Sequence, residues 1–181
     1  PLQQFALERF KGQNLILVWV IIEEVLKYCA ALIVVLWNRA VDEPIDAIIY
    51  MITIALGFAA LENALFVFSP LQAGDYAYSF ISNNFRCLGA MLLHVLASGT
   101  VGVCMALAYY ASRWVKVTVA TLGLCIAIVL HALFNFFIMD ASGETVLGVF
   151  MFVWMGIIVL FLFFERVKQL EKQHRRANAS L

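Results

Sequence analysis

The chain has 181 residues, of which 64% are apolar and 13% charged, with 12 basic and 12 acidic side chains and a mean hydropathy of +0.93. Soluble domains carry about 45–50% apolar and about 25% charged residues, so a water-facing globule is excluded and the bilayer is the solvent that fits. A net charge of zero leaves no electrostatic footprint for nucleic acid, which needs a cationic surplus.

The elements follow in chain order. A juxtamembrane segment, 1–13, precedes a first apolar stretch at 14–37. Further stretches run over 45–68, 87–111, 115–139 and 145–164. Each holds about the 20 residues that carry a helix across about 30 Å of hydrocarbon. The connectors 38–44, 69–84, 112–114 and 140–144 collect Pro, Gly, Asp, Asn and Ser, as turn segments do. From Glu165 the composition turns charged, and 165–181 reads as a solvated basic tail. The expected fold is all-α: a polytopic transmembrane bundle of five spans over 14–164, without internal repeats. Pro1 rather than methionine opens the chain, so a fragment or processed product is expected, and no secretory leader is read at its start. The four cysteines (Cys29, Cys87, Cys104, Cys125) lie singly in apolar runs and read as packing residues.

Lys and Arg mark the cytoplasmic side of a membrane protein. The tail holds Arg166, Lys168, Lys172, Arg175 and Arg176, and Arg113 and Lys116 flank the fourth span, whereas Asp140–Glu144 is acidic. The C-terminus and the connectors 38–44 and 112–116 are therefore expected in the cytoplasm and the N-terminus outside, with Arg9 and Lys11 in weak disagreement.

Four of the five stretches carry polar groups that a bilayer resists. The first has Glu23, Glu24 and Lys27, the second Glu62 and Asn63, the third His94, and the fourth His131 and Asn135. An ionised group near the bilayer centre costs about 2.5–3.5 kcal/mol even on lenient scales. The fifth stretch has no charge at all between Thr145 and Phe164, so the exceptions call for a reason.

Depth supplies one. With alternating directions and 1.5 Å per residue, Glu23 and Glu24 lie about 15 Å below the outer face, Glu62 about 9 Å, His94 about 11–15 Å and His131 about 12 Å. One layer thus gathers polar groups from four helices. Lys27 can reach either glutamate at three or four residues' distance, and His131 and Asn135 share a face. Gly57, Gly89, Gly99 and Gly102 would let helices approach closely around that layer. Arg86 reads as an interfacial anchor, and Asp46 and Tyr50 as boundary residues.

These residues fall into Glu23-Glu24-x-x-Lys27, Phe58-x-x-x-Glu62-Asn63, Phe85-Arg86 with His94 eight residues later, and His131-x-x-x-Asn135. In this order the set resembles the PrsW family of intramembrane peptidases, which looks related to the CPBP group that includes CAAX prenyl endopeptidases. That group usually has Arg in place of Lys27 and His in place of Glu62, so the likeness is to the PrsW branch, over about residues 14–139.

The resemblance implies a multi-pass cell-membrane peptidase that cuts in or near a transmembrane segment of a membrane protein, for example a single-pass anti-sigma factor. It makes Glu23, Glu24, Glu62 and His94 the water-activating side, and His131 and Asn135 the oxyanion side. The chemistry agrees: a carboxylate or imidazole can take a proton from water, and an amide or imidazole N–H can stabilise the oxyanion. Lys27 would hold a carboxylate ionised. Which glutamate is the base stays open.

Glutamate-activated water without a cofactor is the favoured form. A zinc form, with Glu23, Glu24, Glu62, His94 and His131 as the ligand pool, is the alternative; the chain lacks an HExxH motif. A proton- or ion-coupled transporter and a non-catalytic scaffold are competing readings. The oligomeric state is not legible.

Overall fold

The computed structural model describes residues 10–38, 41–72, 76–139 and 143–179, with side chains outside 35–38, 67–72, 76–86, 139, 143 and 144. Five helices fill those residues: α1 Gln13–Asn38, α2 Pro44–Gln72, α3 Tyr76–Leu107, α4 Arg113–Met139 and α5 Gly143–Ala179. The all-helical class expected from the sequence is what the chain adopts.

Four of these helices, α2 to α5, are long and apolar enough to cross a membrane. The first has 26 residues, long enough for a span, but Glu23, Glu24 and Lys27 dilute its apolar run. All three turn inward and are buried, while Leu17, Ile21, Val25, Leu26, Ile33 and Val34 form an exposed apolar face. Lipid would therefore meet α1 much as it meets the other four helices.

Four boundaries differ from the sequence reading by four residues or more. The expected connector 69–84 is mostly helical: α2 runs on to Gln72 and α3 begins at Tyr76. The strong breakers Pro70 and Gly74 lie before α3, and residues 76–86 contain neither Pro nor Gly, so nothing there stops a helix. α3 ends at Leu107 rather than at Ala111, and 108–110 form a turn. At the far end, the charged segment from Glu165 continues α5 unbroken to Ala179. Its Lys, Gln, Glu, Leu, Arg and Ala are good helix formers, so the change in charge marks the end of the apolar run and not of the helix. The expectations for Arg9, for Arg86 as an anchor and for the acidic 140–144 connector concern side chains outside the described residues.

α3 is the centre of the bundle and packs against all four other helices, whereas α1 and α5 do not touch among the described residues. Gly102 is one reason α3 can occupy that place. A Cβ there would stand 2.7 Å from Ile48 Cα and 3.0 Å from the Ala47 carbonyl oxygen, so only glycine lets α2 and α3 come so close. Gly57 plays no such part, because a Cβ there meets nothing within 4 Å. Expected at a helix contact, it faces open space. Gly123 and Gly156 do sit at tight contacts, against Cys104 and Leu96.

The connectors at one end tie the helices together. Asp46 accepts the backbone N–H groups of Asp42 and Glu43 at 3.0 and 2.9 Å and so closes the start of α2. The Tyr109 hydroxyl donates to the carbonyls of Val41 and Asp42. His174, near the end of α5, stacks on Tyr110 with ring centroids 3.8 Å apart, and Arg175 pairs with Glu43. The connectors before α2 and after α3 therefore share a side with the C-terminal end of α5, as the Lys/Arg pattern requires.

Candidate active site

Sequence spacing sets the site's inner wall. Glu23, Glu24 and Lys27 occupy the face of α1 that also carries Val20 and Ala31, all buried. His94 is buried on α3 and His131 on α4, while Glu62 reaches in from α2 with its side chain 23% exposed. Four helices contribute, as the depth argument anticipates.

Hydrogen bonds link these groups into a chain. Lys27 Nζ lies 2.5 Å from Glu24 Oε1 and 2.7 Å from Nδ1 of His94. An ammonium has only donors, so His94 Nδ1 accepts and its Nε2–H donates to Glu62 Oε2 at 2.8 Å. Glu24 Oε1 also takes the Nδ1–H of His131 at 2.7 Å. That choice leaves Nε2 of His131 with a lone pair, and it faces Glu23 Oε2 across 3.8 Å. The separation is too long for a direct hydrogen bond and suits a bridging water. Of the two glutamates that the spacing puts within Lys27's reach, the ammonium takes Glu24 and leaves Glu23 free to face His131.

The rings are packed edge to face: His94 and His131 at 5.0 Å, and Phe58 and His94 at 5.6 Å. Lys27 Nζ sits 4.9 Å from the centre of the Phe58 ring, within cation–π range. Phe58 is thus a wall of the site, a part that a search for ionisable groups passes over. Its place one turn before Glu62 was the available signal.

Asn135 is the one expected site residue that stands apart. It is half-buried one turn beyond His131 and joins none of these hydrogen bonds. Two buried polar atoms, Trp19 Nε1 and Ser98 Oγ, have no partner among the described residues. They lie one turn from Glu23 on α1 and from His94 on α3.

Residues 3–163 match the family model described as PrsW family intramembrane metalloprotease. The chain belongs to the PrsW family. Among curated PrsW proteins, Protease PrsW of Oceanobacillus iheyensis is 26% identical over 141 residues, covering 78% of this chain. The chain spans 61% of that relative's length. No solved structure matches.

The PrsW family description implies a metal, and the side chains can be tested against one. Glu23, His94 and His131 are buried and each offers a donor atom, all within 4.8 Å of one another, a set of the kind zinc accepts. Three carboxylates (Glu23, Glu24, Glu62) face one ammonium here, an imbalance that bound protons or a divalent cation would relieve. His131 is prepared for ligation, with Glu24 on Nδ1 and Nε2 open, the pattern of a carboxylate-oriented ligand. His94 is not, since Lys27 and Glu62 engage both its nitrogens. The donors fit zinc in kind and spacing once His94 gives up one partner.

Proposed function

We propose that the chain is an intramembrane endopeptidase that hydrolyses a peptide bond in or near a transmembrane segment of a membrane protein. The observation that carries this reading is the 3.8 Å gap between Glu23 Oε2 and His131 Nε2, two buried acceptors able to hold and deprotonate one water. Family membership supports it. Multi-pass placement with a cytoplasmic C-terminus agrees with the basic end of α5 sharing a side with the start of α4, where Arg113 and Lys116 lie.

In this mechanism Glu23 is the general base. A water bridging Glu23 and His131 Nε2 gives a proton to the carboxylate as its oxygen attacks the scissile carbonyl. The proton passes to the departing amine, and the products are a new carboxylate and a new amino terminus. Glu24 and Lys27 keep His131 and His94 in fixed tautomers. Asn135, which joins none of the site's hydrogen bonds among the described residues, supplies the amide N–H for the oxyanion, a contribution of about 2.7–4 kcal/mol in a dry site. His131 can donate only after it has itself taken a proton, so Asn135 bears this role first.

The second reading is the metal-dependent form, favoured by the compact Glu23–His94–His131 donor set. When bound, zinc would polarise the carbonyl and make water acidic enough to deprotonate near neutral pH. Against it stands the saturation of His94. One experiment separates the two: cleavage of a tagged single-pass membrane protein, with anti-sigma factors as the first class to try, by the full chain in lipid vesicles. Cleavage that survives chelation in metal-free protein supports the carboxylate form; cleavage lost on chelation and restored by Zn²⁺ supports the other. No cleavage of any substrate rejects the peptidase reading, and full cleavage by Glu23→Gln rejects Glu23 as its base.

A further inference from the structure

The basic end of α5 borders a cavity of about 510 Å³ against the start of α2, lined by Lys168, Lys172, Arg175 and Arg176 together with Glu43 and Glu171. The two carboxylates are already committed, for both pair with Arg175. Lys168 has a loose, exposed partner in Glu165 at 3.5 Å, a contact that contributes little. Lys172 and Arg176 have no ion-pair partner among the described residues. Lys168, Lys172 and Arg176 recur every four residues, so they share one face of the helix. The cationic surplus is concentrated where the cavity is.

Depth gives the surplus a meaning. Ile45, in the first turn of the apolar span of α2, also lines the cavity. Val167, immediately before Lys168, is fully buried against Ile48, Val103 and Ala106. The cavity therefore lies where hydrocarbon-facing surface ends, at the level of lipid headgroups. Ile49, one turn deeper than Ile45 on the same face of α2, is 49% exposed and offers an apolar continuation beneath it.

We propose that this cavity binds the phosphate of an anionic phospholipid, held between Lys172 and Arg176 with Lys168 beside them. The chemistry recognised is a phosphate anion; its position at the end of the spans assigns it to a lipid and not to free phosphate. Arg175 is excluded from the site by its two carboxylates and serves instead to hold α5 against the α2 connector. This site is independent of the peptidase reading.

The test uses the full chain in mild detergent, titrated with short-chain phosphatidylglycerol, with phosphatidylcholine of equal chain length, and with inorganic phosphate. Retained lipid is counted by native mass spectrometry and the unfolding midpoint is followed in parallel. Phosphatidylglycerol should be retained and raise the midpoint. A cation near an anionic lipid contributes about a factor of five, so Lys172→Gln with Arg176→Gln should weaken retention roughly twentyfold to thirtyfold. Arg166→Gln, on α5 but outside the lining, should leave it unchanged. Equal retention of phosphatidylcholine, undiminished binding by the double variant, or an equal loss in Arg166→Gln would overturn the site. Full protection by inorganic phosphate would overturn the assignment to lipid.

Discussion

Glu24 Oε1 joins two helices' worth of chemistry: it accepts from Lys27 of its own helix at 2.5 Å and from Nδ1 of His131 on α4 at 2.7 Å. Glu23, its neighbour in sequence, makes neither contact and looks across 3.8 Å at the other nitrogen of the same imidazole. Adjacent and identical residues are thus given different work by which way the helix turns them.

The first prediction separates those two roles. Glu23→Gln should abolish cleavage while the unfolding midpoint in detergent stays near that of the wild type, because Glu23 makes no direct hydrogen bond among the described residues. Glu24→Ala should abolish cleavage and also destabilise by about 3–5 kcal/mol, since it strands a buried ammonium. Thermal unfolding with a cleavage assay reads both. Equal stability of the two variants would contradict the assignment.

Lys27 and Glu24 lend themselves to a double-mutant cycle. Lys27→Met leaves Glu24 with His131 alone, and Glu24→Gln leaves Lys27 without its counter-charge; each should cost about 3–5 kcal/mol. The double variant removes both charges and should lose less than the sum by about 0.5–3 kcal/mol, the range for residues in direct contact. Additive losses would mean the pair does not act as a unit.

How much of this was legible beforehand depends on which physics decides it. The five helices and the polar layer were readable, because a charge in a bilayer is costly enough to announce itself and 1.5 Å per residue converts position into depth. The pairing of Lys27 with Glu24 was not, since helical spacing allows both glutamates and the partner across the bundle makes the choice. Gly57 looked like a packing glycine and is not one; composition tells that a residue is small, not which way it faces. The helical 76–86 segment was hidden by the turn formers just before it. The continuation of α5 past Glu165 was hidden by a change in charge that has no bearing on helix formation.

Val167 tests that continuation. It is fully buried in a cluster with Ile48, Val103 and Ala106, although it lies in the charged segment that the sequence sets apart as solvated. Val167→Ala should destabilise by about 1–3 kcal/mol, and Val167→Asp by more, through an unpaired charge. A solvated tail would tolerate both, and unchanged unfolding midpoints would show it.

The close approach of α2 and α3 makes the last prediction, which links packing to the site. Glu62 and His94 hydrogen-bond across this same pair of helices at 2.8 Å, so their separation is held by how the helices pack nearer the other end. Gly102→Ala puts a methyl 2.7 Å from Ile48 Cα, and backbone cannot swing aside as a side chain can. Overpacking of this kind costs about 1–3 kcal/mol, and relief by moving α2 would lengthen the Glu62–His94 contact. Cleavage should therefore fall along with the unfolding midpoint. Gly57→Ala on the same helix as Glu62 adds its methyl to open space and should be neutral or stabilising by up to about 1 kcal/mol. The two alanines differ only in what stands opposite them, so an equal effect of both would show that the α2–α3 spacing does not govern the site.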